Sequence, residues 1–398
     1  MDEIEELITR GVANIIPNKQ ELEKKLRSGD KLNIYLGIDP TSTKIHLGHA
    51  VPLRQLQRLA ELGHHVTFLI GDFTSLIGDT SDKDTERPVL TSEQIESNFQ
   101  TYKRQAEKIL DFSKVKVVHN SEWLKKLTFA EIVKLTQHFS VGDFVGRELI
   151  RKRLGENKRV GLHEFLYPVM QGYDSYHLDT DLQLGGTDQT FNMQAGRTLQ
   201  KDLREKESFV MTNLILEGTD GRKMSKSWGN AIWLEDTAED MYAKVMAIKD
   251  DLIIQYYTLG TNVPMEEVKE AESALKKGEH PMKIKKELAF TIVEELYDLE
   301  KAEHAKQSFE KIVQDKEIPE DVQTVTLDDK EMPLSDVLVH VGIAASRSEA
   351  KRLIEQGGVS IDNAKIENTN LPFETLAKND ETLIQVGKRR FVKVKLSK

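Results

Sequence analysis

The chain has 398 residues, 38% of them hydrophobic and 31% charged, with a formal net charge of −10 and no cysteine. That length supports roughly two or three domains with a sizeable core. The composition excludes a disulfide framework, and no apolar run approaches the roughly 18 residues of a membrane span. The acidic start Met1-Asp2-Glu3-Ile4-Glu5-Glu6 lacks the basic and apolar parts of a signal peptide, so a cytoplasmic location is expected. The negative balance argues against indiscriminate nucleic-acid binding and leaves room for a local basic face.

The first 230 or so residues alternate short apolar runs with amphipathic stretches, as in a parallel α/β domain. Predicted strands are Leu32–Ile38, Val66–Ile70, Lys114–His119 and Phe209–Leu214, with helical spacing over Arg54–Leu62 and Glu93–Leu110. The segment Pro88–Val160 separates the halves of the sheet and reads mostly helical. From about Leu234 to Val313 the pattern is wholly helical, clearest over Asp236–Ala247 and Lys283–Asp298. Gln314–Glu331 is charged, contains Pro319 and few large apolar residues, and reads as a linker. The last module, Met332–Lys398, has helical patterns over Leu334–Val341 and Ser346–Gln356, then Gly357–Asn363 as a strand and turn. It carries 11 Lys/Arg against 8 Asp/Glu, net +3, which leaves −13 on the remainder. Arg347, Lys351 and Arg352 share a helix, and Lys388-Arg389-Arg390 enters the last strand. Such placement fits an RNA-binding face; an ordinary solvated charged face is the competing reading.

Two short strings bear chemistry. His46-Leu47-Gly48-His49 follows the extended stretch Asn33–Ile38 and the turn Asp39-Pro40-Thr41. It therefore lies at a strand-to-helix junction, where backbone N–H groups and the helix dipole attract phosphate. His46 and His49, three apart, share a helix face, and Gly48 leaves bare backbone against which adenine can lie. Zinc is the rival reading. Helical zinc histidines of the HExxH type are spaced by four with a glutamate between, and no cysteine is present to complete a structural site. No protein-bound metal is expected.

The second string, Lys223-Met224-Ser225-Lys226-Ser227, is flanked by Gly221 and Gly229 and reads as a mobile loop. Its lysines are flexible point charges that can follow phosphates as their geometry changes. Alone it reads equally as solvated surface. After the histidine string, it points to chemistry on the α-phosphate of ATP. Between the two, Gln183-Leu184-Gly185-Gly186-Thr187-Asp188-Gln189 sets a glycine pair after an apolar strand, with Asp188 able to accept from ribose hydroxyls; a plain turn is the alternative. Gln171 and Asp174 share a helix face with Tyr167 one turn earlier, and Pro168 must then sit in the first turn or kink the helix.

With these strings in this order, the chain resembles class I aminoacyl-tRNA synthetases over nearly its whole length, and among them the bacterial tyrosyl-tRNA synthetases with a full KMSKS loop. The resemblance implies an α/β, Rossmann-like parallel-sheet catalytic domain over 1–233, with a connective helical insertion at about 88–160 that carries the dimer interface. An all-helical anticodon-side domain over 234–313, a linker over 314–331 and a small α+β RNA-binding module over 332–398, resembling a ribosomal-protein fold, would follow. The implied reaction activates L-tyrosine with ATP and Mg2+ to tyrosyl-adenylate, releasing pyrophosphate. Tyrosine then passes to the 3′ end of tRNA(Tyr) and AMP leaves. The implied assembly is a homodimer without organic cofactor or membrane.

By the same resemblance, Thr41, His46 and His49 would hold the triphosphate from one side, and Lys83, Arg87, Lys223 and Lys226 from loops. Gly37, Asp39, Gly48, Gly186 and Asp188 would complete the ATP site. Asp79, Tyr167 and Gln171 would bind the substrate amino group, with Gln189 near the carboxylate. Tyr35 and Asp174 would hydrogen-bond the phenolic hydroxyl. One departure is Leu36, where the best-known subgroup has a cysteine, so that subgroup's ribose hydrogen bond does not carry over. Against a tryptophan-specific synthetase stand Tyr35, Asp174 and the C-terminal module. A small-molecule nucleotidyltransferase needs no RNA-binding appendage. A non-catalytic RNA-binding relative would not need the intact histidines, lysines and pocket polar groups.

Overall fold

Short runs rich in Val, Ile and Leu build the larger sheet: β1 (Val12–Ile16), β2 (Asn33–Ile38), β3 (His65–Ile70), β4 (Val115–His119), β5 (Leu182–Gly186) and β6 (Phe209–Asn213). The order is β1-β6-β5-β2-β3-β4, parallel throughout except for the antiparallel edge strand β1. β5 and β6 are buried along almost their whole length, as parallel strands covered on both faces must be. From β2 the chain steps outward to β3 and β4, then returns to β5 on the other side of β2. The carboxyl ends of β2 and β5 therefore flank the point where the winding reverses, which is where open α/β sheets bind ligands.

The computed structural model describes residues 2–397 apart from 41–42, 79–90, 226–227, 312–321, 345, 363, 367, 369–370, 378–380 and 388–389, and apart from the side chain of Ser92. Of the expected site residues, Thr41, Asp79, Lys83, Arg87, Lys226, Lys388 and Arg389 lie outside the described residues. Two units form, Met1–Ala302 and Glu303–Lys398.

In the first unit, α1 (Leu47–Glu61) follows β2, α2 (Ser92–Ala106) precedes β4, and α3 (Leu162–His177) and α4 (Thr190–Arg204) flank β5. The predicted strands agree with the sheet to within a residue or so at each end. β1 was not predicted; it is a short edge strand ending before Pro17, and two of its residues are exposed, so it shows little apolar pattern. β4 lies inside the segment 88–160 that reads mostly helical. The helices between the half-sheets begin after it, as Ser121–Leu124, Phe129–Thr136, Val141–Val145 and Glu148–Gly155. Pro168 sits inside α3, past the first turn, at the loss of a backbone hydrogen bond.

Beyond β6 the chain is helical, over Ala238–Met246, Ile253–Gly260, Met265–Lys276, Pro281–Leu296 and Leu299–Phe309. Buried Arg10 ties the N-terminal segment to this region by donating to the carbonyls of Tyr257, Thr258, Thr261 and Val263.

The second unit has strands β7 (Thr324–Leu327), β8 (Val359–Ile361), β9 (Ala364–Lys365), β10 (Glu381–Val386) and β11 (Arg390–Leu396), in the order β7-β11-β10-β8-β9. Helices Leu334–His340 and Arg347–Glu355 bury Leu334, Val337, Leu338, Ala350 and Ile354 in one core with Phe373, Ile384 and Val392. β7 falls within the stretch expected to be linker. It pairs in parallel with β11 and buries Leu327, a signal masked in the sequence by the surrounding charge.

Candidate functional site

The reversal point of the larger sheet opens into a cleft of about 740 Å³, and every described residue expected at the tyrosine or ATP site lines it. Helix α3 supplies Tyr167, Gln171 and Asp174 from one face. Its start is fixed by Glu164, whose carboxylate accepts from the Gly161 N–H at 2.7 Å and from both terminal nitrogens of Arg153 at 2.6 and 3.0 Å. That pair is fully buried, so it sets the position of the helix that carries the pocket.

Asp174 is buried, and each of its oxygens accepts a hydrogen bond: Oδ1 from Trp123 Nε1 at 2.7 Å and Oδ2 from Asn120 Nδ2 at 3.0 Å. Burial pushes its pKa up to about 8, with Asn120 and Trp123 pulling the other way. Tyr35, also buried, is raised well above the ordinary phenol value, first by burial and then by the nearby Asp174. Its hydroxyl donates to Gln183 Oε1 at 3.0 Å, and Gln183 in turn donates to the Met193 carbonyl at 3.0 Å. Tyr35 and Gln183 face one another directly in the β2–β5 register.

A second chain of bonds starts at Tyr167, whose hydroxyl donates to Asp39 Oδ2 at 2.9 Å. Asp39 Oδ1 accepts from Thr74 Oγ1 at 2.8 Å, and Thr74 accepts from the same Asn120 that donates to Asp174. Asp39, expected at the nucleotide, is thus joined through Thr74 and Asn120 to the carboxylate expected at the phenol. Gly71 makes this possible: a Cβ there would lie 2.0 Å from Asp39 Oδ1 and 2.4 Å from Thr74 Oγ1.

At the other end, His46 is the N-cap of α1, so the histidine string opens the helix as expected. The His46 and His49 rings stack, centroids 3.8 Å apart and 16° from coplanar. His49 Nδ1 accepts from the His46 backbone N–H at 3.4 Å, which leaves the Nε2 side as donor. Burial, with His49 and Lys223, lowers the His46 pKa to about 2, so its ring is neutral at physiological pH. His46 Nδ1 is buried without a hydrogen-bond partner. Gly48 is required by this packing, since a Cβ would sit 3.0 Å from the His46 ring.

The lysine string is anchored on both sides. Asn230 Oδ1 accepts from the Ser225 N–H at 2.9 Å, while Asn230 Nδ2 donates to Asp220 at 2.7 Å. His46 and Trp233 form an antiparallel bridge, with Leu47 N–H on the Ile232 carbonyl and Leu234 N–H on the Ile45 carbonyl, both 2.9 Å. The histidine string is therefore held by backbone to the stretch that follows the lysine string. Lys223 Nζ lies 3.6 Å from Asp188 Oδ2, and Gln189 accepts from Asn192 at 3.1 Å.

In the second unit, Lys351 and Arg352 are exposed on their helix, as expected. Arg347 and Arg390 are exposed too, Arg347 paired with Asp336 at 2.9 Å from Nη2 and Arg390 donating to the Ile343 carbonyl at 2.7 Å. Asn120, Trp123 and Thr74 were missed in the sequence, and Gln183 was read only as the start of the glycine-pair string, not as the partner of Tyr35. The one available signal was the place of Asn120 directly after the carboxyl end of β4.

The profile of tRNA synthetases class I (W and Y) matches residues 27–314. That of the Tyrosine–tRNA ligase SYY-like C-terminal domain matches residues 314–394. The class that the reversal-point cleft and its two strings had outlined, the class I aminoacyl-tRNA synthetases, is thus the class of this chain. Curated relatives narrow it further. The Tyrosine–tRNA ligase of Thermotoga maritima is 42% identical over 390 residues, 98% of this chain and 96% of that one. That of Carboxydothermus hydrogenoformans is 43% identical over 399 residues, 98% of this chain and 97% of that one. The chain belongs to the bacterial tyrosyl-tRNA synthetases. Among solved structures, the tyrosyl-tRNA synthetase of Archaeoglobus fulgidus complexed with L-tyrosine is 25% identical, with a TM-score of 0.60, over 77% of this chain and 100% of that one. The Plasmodium falciparum tryptophanyl-tRNA synthetase shares the fold at 18% identity and a TM-score of 0.56, over 73% of this chain and 80% of that one. Fold alone does not separate the two amino acids.

Proposed function

We propose that this chain ligates L-tyrosine to tRNA(Tyr), with both steps in the described cleft. The observation that carries the reading is that one cleft is lined both by buried Tyr35 and Asp174 and by His46, His49, Asp188 and Lys223. A hydroxyl-recognising pair thereby shares a cavity with phosphate-directed groups. In the first step the tyrosine carboxylate attacks the α-phosphorus of ATP, a P–O bond to the leaving pyrophosphate breaks, and tyrosyl-adenylate forms. No protein nucleophile is needed, so the protein's contribution is alignment and stabilisation of charge on the phosphates. His46 and His49 approach the phosphates at the head of α1, with Lys223 opposite, and Lys226 acts on the same phosphates. Thr41, Lys83 and Arg87 belong to the same set. In the second step a ribose hydroxyl of the tRNA 3′ end attacks the tyrosyl carbonyl and AMP leaves.

At the amino-acid end, Tyr35 and Asp174 bind the phenolic hydroxyl, and Asp79, Tyr167 and Gln171 the amino group, with Gln189 near the carboxylate. Gly37, Asp39, Gly48, Gly186 and Asp188 receive the nucleoside. Mg2+ accompanies ATP. The cleft carboxylates already meet donors, Asp39 from Tyr167 and Asp188 from Lys223, which suits an ion held by phosphate oxygens and water.

The domain roles carry over in the same way: 1–233 catalysis, 234–313 the anticodon side, and 332–398 RNA binding through Arg347, Lys351, Arg352, Lys388, Arg389 and Arg390. The working form is a cytoplasmic homodimer. What supports the dimer is an apolar surface on and beside the insertion, where Phe129, Val141 and Leu162 are 82%, 76% and 80% exposed. No described helix is long and apolar enough to cross a membrane.

The test is ATP–pyrophosphate exchange without tRNA, run with tyrosine, phenylalanine and tryptophan. Exchange with tyrosine alone is expected. Exchange with tryptophan would overturn the specificity, and no exchange from folded protein would overturn the activity.

A further inference from the structure

Three polar side chains on and just beyond α2 end on backbone at the phosphate side of the cleft. Asn98 Nδ2 donates to the Pro40 carbonyl at 2.8 Å. Gln105, 1% exposed, accepts from the Ile45 N–H through Oε1 at 2.7 Å and donates through Nε2 to the Thr43 carbonyl at 2.8 Å. Lys108 donates to the Leu234 carbonyl at 2.5 Å, with its ammonium 3.6 Å from the centre of the Tyr297 ring. Ile45 and Leu234 are the residues that the antiparallel bridge joins on either side of His46 and Trp233. Gln105 and Lys108 thus grip both partners of that bridge, the stretch entering the histidine string and the stretch leaving the lysine string.

Among the described residues between β2 and α1, the short bridge at Ile45–Leu47 pairs only a few backbone groups, and side chains supply further partners. Gln105 is the one of the three that engages both the donor and the acceptor of a planar amide on this stretch. Its contacts also decide which way its amide faces, because Ile45 presents an N–H while Thr43 and Thr101 present carbonyls. A glutamine so placed sets the spacing of residues 43 and 45, and with it the direction from which His46 enters α1.

We propose that Gln105, supported by Asn98 and Lys108, is a positioning residue for adenylate formation, holding the His46 segment and the 232–234 segment in common register toward the ATP phosphates. This rests on the function proposed above. It acts through backbone, without touching substrate. Misplacing phosphate donors by about 1 Å costs on the order of 100-fold in rate, so the effect should fall on turnover and on ATP, not on tyrosine.

The experiment is tyrosine-dependent ATP–pyrophosphate exchange by the full chain carrying Gln105→Ala or Gln105→Glu, with thermal unfolding measured in parallel. For Gln105→Ala the expected result is a kcat lower by about 30- to 100-fold, a raised KM for ATP and a KM for tyrosine within about twofold of the parent. Gln105→Glu, which keeps the acceptor for Ile45, should recover part of the kcat. If Gln105→Ala does not fold, Asn98→Ala and Lys108→Met are read in the same way, with smaller drops in kcat. Undiminished kcat in folded variants, whatever their melting point, would overturn the proposal. So would a rise in KM for tyrosine matching that for ATP, which marks general disruption. Failure of the parent chain to exchange with tyrosine would instead overturn the function on which the proposal rests.

Discussion

Lys223, the first lysine of the second signature string, reaches Asp188, the acid expected at the ribose, with 3.6 Å between Nζ and Oδ2. The two come from segments 35 residues apart and meet at the rim of the cleft. The side chains are 49% and 31% exposed, so solvent screens the pair and it adds little to stability. Its consequence is positional: the acid holds the lysine over the side of the cleft where the nucleotide is proposed to bind.

Replacing Lys223 by methionine should therefore leave folding intact and slow activation. Single-turnover adenylate formation is expected to fall by about 100-fold, with tyrosine affinity within about twofold, since the lysine acts on charge that develops on the phosphates. An unchanged rate would remove Lys223 from the mechanism.

Discrimination against phenylalanine should depend on Gln183 although it was not foreseen as a pocket residue. Gln183→Leu removes the acceptor for the Tyr35 proton and leaves that hydroxyl free to turn. The ratio of kcat/KM for tyrosine over phenylalanine in pyrophosphate exchange should drop by about tenfold or more. Retention of the full ratio would show that Tyr35 needs no such partner.

The raised pKa of Asp174 makes a pH prediction. Its folded value is about 8 against an ordinary 3.8, so between these the folded chain keeps a proton that the unfolded chain gives up. The stability contributed by this group is then complete below about pH 4 and is lost as pH rises toward 8. Asp174→Asn, which does not titrate, should show no such slope. Melting temperatures from pH 5 to 8 should therefore fall for the parent relative to the variant, and parallel curves would refute the assignment.

Arg153 and Glu164 offer a test of stability away from the chemistry. Arg153→Met strands a buried carboxylate at the start of α3, at a cost of about 3–5 kcal/mol. Urea unfolding should register that loss, and the KM for tyrosine should rise because Tyr167, Gln171 and Asp174 ride on the same helix. A loss below about 1 kcal/mol would mean that the pair is dispensable.

The dimer is tested at its proposed apolar face. Phe129→Asp with Val141→Asp should give a folded protein with the mass of one chain by light scattering at micromolar concentration. A parent chain that is already monomeric would remove the proposal.

Local pattern was enough to read much of this protein from its residues. The parallel strands, the histidine string at a helix start, the glycine pair, which proves to close β5 and not to follow it, and the shared face of Tyr167, Gln171 and Asp174 all depend on neighbours within a few positions, where periodicity and turn chemistry act. β1 and β7 escaped because an edge strand needs only a few apolar residues, and those of β7 sit among charges. The partners that fix the pocket could not be read at all. Tyr35 meets Gln183 148 positions away, Asp174 meets Trp123 51 positions away, and Ile45 meets Gln105 60 positions away. Strand order and helix packing choose those partners, and no local pattern encodes them. The side chains proposed to touch ATP and tyrosine were written in the sequence; which other side chains hold them in place was decided only when β5 returned beside β2 and the elements around them closed on one buried network.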